Sequence, residues 1–392
     1  SFLQQSGRAG RSQRDSLTVY VGRSTPIDQY IMEHPEMIME RAPERARINP
    51  DNVFIAAEHV KCGTFELPFT DGEALGGFGK DSTRQVLEYL SRHRIVNPRD
   101  GVFYWSERSF PANQVGLRSI PGENFTVIDR AHDNKVIAEV DYEGAFSQLH
   151  ENAIYTVDGQ PFQVKTLDFE GHRAYVEPAE VDYYTDAMEY TEVKVLQKDQ
   201  ERDQGAVRLG LGDVKVTRKV IGFKKVKLYT NENLGYGEVT LPERNMHTMS
   251  YWFVVPRKLQ EQLRLSDATL VEAVLAVSFA MNQLAAVLLM CDVRDIGRAV
   301  GDETGENFLR LYQAQREPLP GDFEPTVFLY DIYPGGVGLS EELYAHHDEL
   351  VRRSLEHIRG CVCEDGCPSC IGPFQRYYRG FKGNAERLLA EL

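Results

Sequence analysis

Four cysteines fall within one ten-residue stretch, and this cluster constrains the fold more than any other feature of the chain. Their spacing is C-x-C-x₃-C-x₂-C, with Gly366 and Pro368 in the intervening turns. Thiolates so close in sequence can converge on one tetrahedral point, as Zn²⁺ requires at Zn–S distances of about 2.3 Å. Four protein ligands leave no open position, so the predicted site is structural and its metal contributes to local folding. The predicted ligands are Cys361, Cys363, Cys367 and Cys370.

Other chemistry for this cluster stays open at the level of sequence. Four cysteines can also hold an iron–sulfur cluster, and Cys-Pro steps occur at such sites. Disulfides or free thiols are a third possibility, although six cysteines in 392 residues are too few for a disulfide scaffold. This usage favours a metal site in a reducing compartment and predicts a cytoplasmic protein. The isolated Cys62 and Cys291 lie in apolar helical stretches and are predicted to be small core residues.

The net charge of −15 limits the classes of partner. A chain so acidic does not coat nucleic acid indiscriminately, although a local basic groove can still bind it. At about 100–200 residues per domain, the length predicts two to four domains. The first residues contain no initiator Met, signal peptide or transit-like helix, so we expect a piece of a longer protein.

One apolar run, Ala273–Cys291, approaches the about 20 residues that a membrane span needs. The adjacent amides of Asn282 and Gln283 would be costly in lipid, and the flanking Glu272 and Asp292 provide no basic anchors. The run is therefore predicted to be a buried core helix, and no membrane partner is expected.

Changes of pattern divide the chain into four segments and predict a multidomain α+β protein. Residues 1–41 include Leu17–Val21, an apolar run typical of a buried strand. Residues 42–110 predict helices and then a β-hairpin, the order of a winged helix; a small α+β domain without a nucleic-acid role shows the same order. Residues 111–190 predict a small β-rich domain, and residues 191–392 an α/β domain that contains the cysteine cluster.

Local signals place several elements within these segments. We expect a helix over Val53–Leu67, a second helix capped by Ser82, and a long strand or ribbon over Val214–Leu228. The turns Arg99-Asp100-Gly101 and Asp158-Gly159 predict two hairpins.

An arginine motif opens the chain as Q-x-x-G-R-x-G-R, formed by Gln4, Gly7, Arg8, Gly10 and Arg11. Its glycines permit close backbone approach, and its guanidinium groups can bind phosphate oxygens. An arginine so placed can neutralise the charge that develops on a transferred γ-phosphate. The alternative is a Gly- and Arg-rich terminus without a role.

The complete pattern resembles motif VI of superfamily 2 helicases, and the likeness extends over nearly the whole chain. Further matches are Asp182-Tyr183-Tyr184-Thr185, the stretch from Asp331 to Gly338, and the terminal Cys-Glu-Asp-Gly-Cys-Pro-Ser-Cys. Together they resemble the C-terminal half of DEAD/DEAH-type helicases of the mitomycin repair factor A family. The resemblance implies an ATP-dependent 3′→5′ DNA helicase or translocase used in DNA repair. It also implies the end of a RecA-like domain, a winged helix and a zinc domain organised by the four cysteines.

By this resemblance Arg8 and Arg11 approach the nucleotide phosphates as arginine fingers, and Gln4 helps to position them. The chain contains no G-x-x-x-x-G-K-[ST] sequence, because Gly79-Lys80 is followed by Asp81. It also contains no Asp-Glu box to hold Mg²⁺. ATP and Mg²⁺ are therefore expected to bind only in the full-length parent, and the fragment alone is predicted to be inactive.

Two further sequence features are candidate anion sites. Six basic residues without an acidic neighbour form a strip that could follow a phosphate backbone, or simply a solvated strand face: Lys215, Arg218, Lys219, Lys224, Lys225 and Lys227. The Gly-rich junction before Ser340 could bind an anion at a helix N-terminus, or could simply permit a tight turn. His346 and His347 are predicted to be surface residues.

The predicted partners are single-stranded or junction DNA and the protein's own N-terminal helicase core. Two alternatives remain: a non-catalytic zinc-containing DNA-binding or scaffolding subunit, for example of a phage-defence complex, and a zinc domain that mediates oligomerisation. The oligomeric state does not follow from the sequence.

Overall fold

The computed structural model describes residues 6–9, 15–40, 49, 51–115, 124–305, 323–373 and 380–392. The chain divides into two compact units that alternate along the sequence. The first unit consists of Ser1–Asn49, Val193–Lys215 and His247–Leu392, and the second of Pro50–Glu192 and Val216–Met246. The predicted segment boundaries near residues 41, 110 and 190 remain predictions.

The described helices and strands confirm a mixed α/β protein. The helices are α1 (Pro26–Glu33), α2 (Glu36–Met39), α3 (Val53–Glu66), α4 (Lys80–Arg92), α5 (Tyr142–Gln148), α6 (Arg257–Leu263), α7 (Asp267–Leu289), α8 (Leu339–Ala345), α9 (His347–Gly360) and α10 (Phe381–Leu389). The strands are β1 (Phe69–Thr70), β2 (Val96–Arg99), β3 (Val102–Trp105), β4 (Phe125–Asp129), β5 (Lys135–Val140), β6 (Ile154–Val157), β7 (Gln160–Asp168), β8 (Arg173–Pro178), β9 (Tyr183–Val195), β10 (Gln200–Gln204), β11 (Val207–Lys227), β12 (Asn233–Glu238), β13 (Arg244–Val254), β14 (Ile296–Gly301) and β15 (Thr326–Asp331).

In the second unit, helices α3 and α4 pack with a three-stranded sheet of order β1-β3-β2. Asp100 and Gly101 join β2 to β3 with φ values of 53° and 76°, the left-handed pair that a type I′ turn requires. The predicted helices and hairpin are confirmed, but Ser82 is not the cap of α4. The helix begins at Lys80 after Gly79, whose φ of 82° is unfavourable for other residues.

A five-stranded sheet of order β5-β4-β8-β7-β6 forms another part of the second unit. Its β4 and β8 are parallel, while the β6–β7 hairpin turns at Asp158-Gly159 as predicted. Helix α5 contributes Ala145 to the apolar core of this sheet, beside Phe125 and Val127. Strands β9 and β12 pair with the long β11.

The first unit is built around α7, which packs with strands of order β10-β11-β13-β15-β14. Helix α7 is long and apolar enough to span a membrane, but 83% of its most apolar 18-residue window is buried inside the protein. Asn282 donates to the carbonyl oxygen of Ile296 at 3.0 Å, and Ser278 donates to that of Leu275 at 2.8 Å. Partners within the protein thus satisfy the polar groups of α7, and the core-helix prediction is confirmed.

The prediction of a buried strand at Leu17–Val21 is wrong. No strand covers these residues, and the side chains of Leu17, Val19 and Val21 are 85%, 70% and 80% exposed. A β-branched run becomes a strand only where another strand is available to pair with it. Among the described residues this run has no such neighbour.

Candidate metal centre and nucleic-acid surface

The four cysteine Sγ atoms converge on one point after α9. Their spacings are 3.5 Å from Cys361 to both Cys363 and Cys367, 3.6 Å from Cys363 to Cys370, and 3.7 Å from Cys367 to Cys370. All four atoms lie within 4.8 Å of one another. Four thiolates about 2.3 Å from one ion form a tetrahedron with edges of about 3.8 Å. The four residues therefore fit a single tetrahedral ion.

Two local features bring the cysteines together. Gly366 has a φ of 121°, and a Cβ at this position would lie 2.3 Å from Cδ1 of Ile371, so the turn needs glycine. The backbone amide of Cys367 points at Sγ of Cys370 at 3.3 Å. Cys370 itself is buried in the core of the first unit. The loop is thus fastened to the core on the side of Cys370.

Side chains outside the cysteine motif hold this loop, and sequence reasoning missed them. Lys382, at the start of α10, donates to the carbonyl oxygens of Cys361 at 2.7 Å and Cys363 at 2.9 Å. His357 in α9 contacts the carbonyl oxygen of Ser369 at 2.8 Å through Nε2. A zinc ion with four thiolates carries a net charge of −2, so the ammonium group of Lys382 is electrostatically favourable nearby. No sequence signal distinguishes Lys382 from a surface lysine.

The pKa values of the thiols show that a metal ion must displace protons in order to bind. Burial raises the pKa of Cys361 to about 11 and raises that of Cys370 further. At Cys367 burial acts in the same direction, but hydrogen bonds with the Cys361 thiol, the Ser369 amide and the Cys370 thiol outweigh it and lower the pKa to about 7. Without a metal, the four groups do not all ionise near neutral pH. A cation that binds as a four-thiolate complex must therefore displace protons.

Zinc affinity is expected to fall as the pH falls, because protons compete with the metal for Cys361 and Cys370. Competition against a chelator at several pH values between about 6 and 9, with the chelator's own protonation taken into account, measures the effect. An affinity that does not change with pH would contradict four-thiolate ligation.

The Gly-rich junction between β15 and α8 is already occupied by a carboxylate of the protein. Asp331 is fully buried and accepts hydrogen bonds from the amides of Val337, Leu339 and Ser340 at 2.6, 3.2 and 2.9 Å. It also accepts one from the Ser340 hydroxyl at 2.6 Å. The candidate anion site is therefore wrong as a ligand site, because Asp331 takes the place of the anion and the glycines serve the turn.

The prediction that His347 lies on the surface is also wrong. Its ring is fully buried, and Nδ1 lies 2.5 Å from the hydroxyl of Tyr251. Burial lowers the pKa of His347 and favours its neutral form. The neighbouring His346 is exposed as predicted.

The six residues of the basic strip all lie on β11, but most of them have partners in the protein. Lys215 and Lys224 make no ion pair with any residue that the structure describes. Three others form ion pairs: Arg218 lies 3.8 Å from Glu189, Lys219 lies 3.0 Å from Glu243, and Lys227 lies 4.0 Å from Asp182. The sixth, Lys225, lies 5.5 Å from the ring centroid of Tyr183. Exposed pairs of this kind are weak and can exchange partners, so a DNA-binding role for the strip stays a prediction.

Of the arginine motif, Arg8 lies in an exposed turn, whereas Gln4 and Arg11 lie outside the described residues. Their role at a nucleotide stays a prediction.

Comparison with known proteins places these features in a family context. A family model described as the MrfA Zn-binding domain matches residues 277–371. A second, described as the winged helix domain of the ATP-dependent helicase HRQ1, matches residues 48–120. The uncharacterized ATP-dependent helicase YprA of Bacillus subtilis is 38% identical over 374 residues, which are 95% of this chain and 47% of that protein. This chain is homologous to the C-terminal portion of an MrfA-type helicase.

Solved structures agree with this homology. The crystal structure of the DUF1998 helicase MrfA bound to DNA is 35% identical, covers 94% of this chain and 46% of its own, and has a TM-score of 0.55. The MrfA structure bound to DNA and AMPPNP is also 35% identical, covers 99% of this chain and 47% of its own, and has a TM-score of 0.54. The chain thus spans about half the length of the relatives it matches.

The MrfA homology settles two predictions. The matched zinc-binding domain contains Cys361, Cys363, Cys367 and Cys370, so the cofactor of the cluster is structural zinc rather than an iron–sulfur cluster. The HRQ1-type match covers α3, α4 and the β2–β3 hairpin, which confirms the winged helix.

Proposed function

We propose that this chain is the accessory portion of a cytoplasmic ATP-dependent DNA helicase that translocates 3′→5′ in DNA repair. The observation that carries the proposal is the 35% identity to a DNA-bound helicase over 94% of the chain. The winged helix and the four-cysteine site, in that order along the chain, support it. The proposed partners are single-stranded or junction DNA and the N-terminal helicase core of the same protein.

Each part of the chain then has a distinct role. Arg8 and Arg11, positioned by Gln4, would contact the phosphates of ATP that is held with Mg²⁺ by the N-terminal core. The winged helix and the basic residues of β11 would guide DNA. Zinc, when bound, would fix the loop of the four cysteines on the core that α7 organises.

The isolated chain is expected not to hydrolyse ATP, because it contains neither a phosphate-binding lysine loop nor an Asp-Glu box. In the longer protein, Arg11→Ala should lower kcat for DNA-stimulated hydrolysis by about 10³-fold, as for other arginine fingers. Arg294→Ala is the matched control and should retain normal hydrolysis, because the Arg294 side chain is 85% exposed and lies outside the winged helix, the basic strip and the cysteine cluster.

Phosphate release and strand separation are the two measurements. Hydrolysis by the isolated chain, or normal kcat in the Arg11 variant, would contradict the proposed division of roles. If the longer protein bound DNA but neither hydrolysed ATP nor separated strands, a non-catalytic scaffold would be the better description.

A further inference from the structure

The hairpin formed by β11 and β12 carries exposed aromatic and aliphatic side chains that the roles above do not use. Tyr229, in the turn, is 99% exposed, and Tyr236 on β12 is 62% exposed. Leu228 and Leu234 are also more than one-third exposed. Four large apolar side chains are thus exposed within nine residues of this hairpin, and exposed apolar patches of this kind often mark binding sites.

The register places Tyr236 beside a basic side chain. Lys224 lies directly opposite Tyr236, so the two side chains share a face of the hairpin. Leu234 lies at an irregularity of β12, because Lys225 pairs with Gly235 whereas Val226 pairs with Asn233. On the other face, a Cβ at Gly237 would lie 2.3 Å from the ring of Phe223, so β12 has no room for a side chain at that position. The hairpin therefore presents Tyr236 and Lys224 on one side.

The turn holds Tyr229 outward in an unfavourable backbone conformation. Its φ is 67°, in the left-handed region that a bulky aromatic residue rarely adopts. Asn231, with a φ of 55°, donates from its amide to the carbonyl oxygen of Lys227 at 3.0 Å, which closes the turn. Strain that leaves a tyrosine fully in solvent points to a function for the ring rather than to stability.

Contacts with Asp182 and Tyr183 hold the C-terminal end of β11 and the residue that follows it. The amide of Leu228 donates to the carbonyl oxygen of Asp182 at 2.8 Å, and Lys227 lies 4.0 Å from the carboxylate of the same residue. Lys225 lies 5.5 Å from the ring centroid of Tyr183. These contacts fix the hairpin near Lys225 to Leu228, while Tyr229 in the turn is exposed to solvent.

We propose that Tyr229 and Tyr236 form a stacking platform for unpaired bases of single-stranded DNA, with Lys224 beside a phosphate. This inference rests on the proposed DNA-helicase function. Every base has a π-face, so exposed aromatic rings next to a basic side chain suit a single strand of any sequence. In a duplex the base faces are covered by their neighbours, so the platform selects separated strands.

The test compares three forms of the 392-residue chain: the natural sequence, Tyr229→Phe and Tyr229→Asn. The phenylalanine keeps the ring, and asparagine removes it while tolerating the left-handed φ. Binding of a fluorescent oligo(dT) of about 16 nucleotides is measured by anisotropy at several salt concentrations. We expect Tyr229→Asn to weaken binding by about 5- to 100-fold and Tyr229→Phe to bind like the natural chain.

The salt dependence of DNA binding separates the contribution of ring stacking from that of charge. Tyr229→Asn removes no charge, so the slope of log K against log salt should not change, whereas Lys224→Gln should reduce its magnitude by about 0.7. Equal binding by the natural chain and Tyr229→Asn would overturn the platform but not the proposed function. So would equally weak binding by Tyr229→Phe and Tyr229→Asn. If the natural chain bound no oligonucleotide, both the platform and a DNA-guiding role for this chain would fail.

Discussion

Replacing Cys370 by serine is expected to weaken zinc binding strongly and to lower the free energy of unfolding of the first unit by about 4–5 kcal/mol. Cys370 is fully buried, so the variant loses a thiolate ligand and also places a hydroxyl group in an apolar site. Three thiolates leave the fourth position to water, so the affinity falls and the loop from Cys361 to Ile371 loses order that the metal provides. Zinc content by mass spectrometry and denaturant unfolding measure the two effects.

Cys62→Ser is the matched control, because Cys62 lies in α3 of the other unit and outside the cluster. It should keep one zinc ion per chain and the stability of the first unit. A Cys370→Ser protein that held zinc as tightly as the natural chain, in competition with a chelator, would show that the four-cysteine assignment is wrong.

Replacing Asp331 by alanine is expected to lower the free energy of unfolding of the first unit by about 3–5 kcal/mol. The change leaves the amides of Val337, Leu339 and Ser340 without their acceptor at a buried helix start. Asp331→Asn should cost less, because its carbonyl oxygen still accepts, although its amide group faces other donors. Denaturant unfolding followed by circular dichroism gives the comparison.

Asp203→Ala serves as the control, since Asp203 is exposed on β10 and should change stability by no more than about 0.5 kcal/mol. If phosphate or sulfate restored the stability of Asp331→Ala, the vacated position would be an anion site, as the Gly-rich sequence suggested. A cost below about 1 kcal/mol would mean that water replaces the carboxylate.

Features fixed by neighbouring residues were predictable from the sequence. The Asp-Gly dipeptides specify two-residue turns because both central residues adopt positive φ, and both predicted hairpins formed. The apolar run that begins at Ala273 forms most of the buried helix α7, as predicted. The four cysteines are equally local, since ten residues contain the whole ligand set.

Features that depend on distant residues were not predictable. The carboxylates near the basic strip, Glu189, Glu243 and Asp182, come from outside the Lys215–Lys227 stretch, so the strip looked more positive in sequence than it is in the fold. Leu17–Val21 has the composition of a strand but no described partner strand. In the sequence, Asp331 is recognisable only as the end of a strand. Its role as an acceptor depends on the fold, which returns the amide of Val337 to its carboxylate.

The bond from Lys382 to the zinc loop makes the metal site depend on a helix that supplies none of its ligands. Lys382 follows Cys361 by 21 positions and lies in α10, beyond the whole ligand set. It donates to the carbonyl oxygens of Cys361 and Cys363. A change that detached α10 would thus leave all four thiols in the chain but take away the donor that holds two carbonyl groups of their loop.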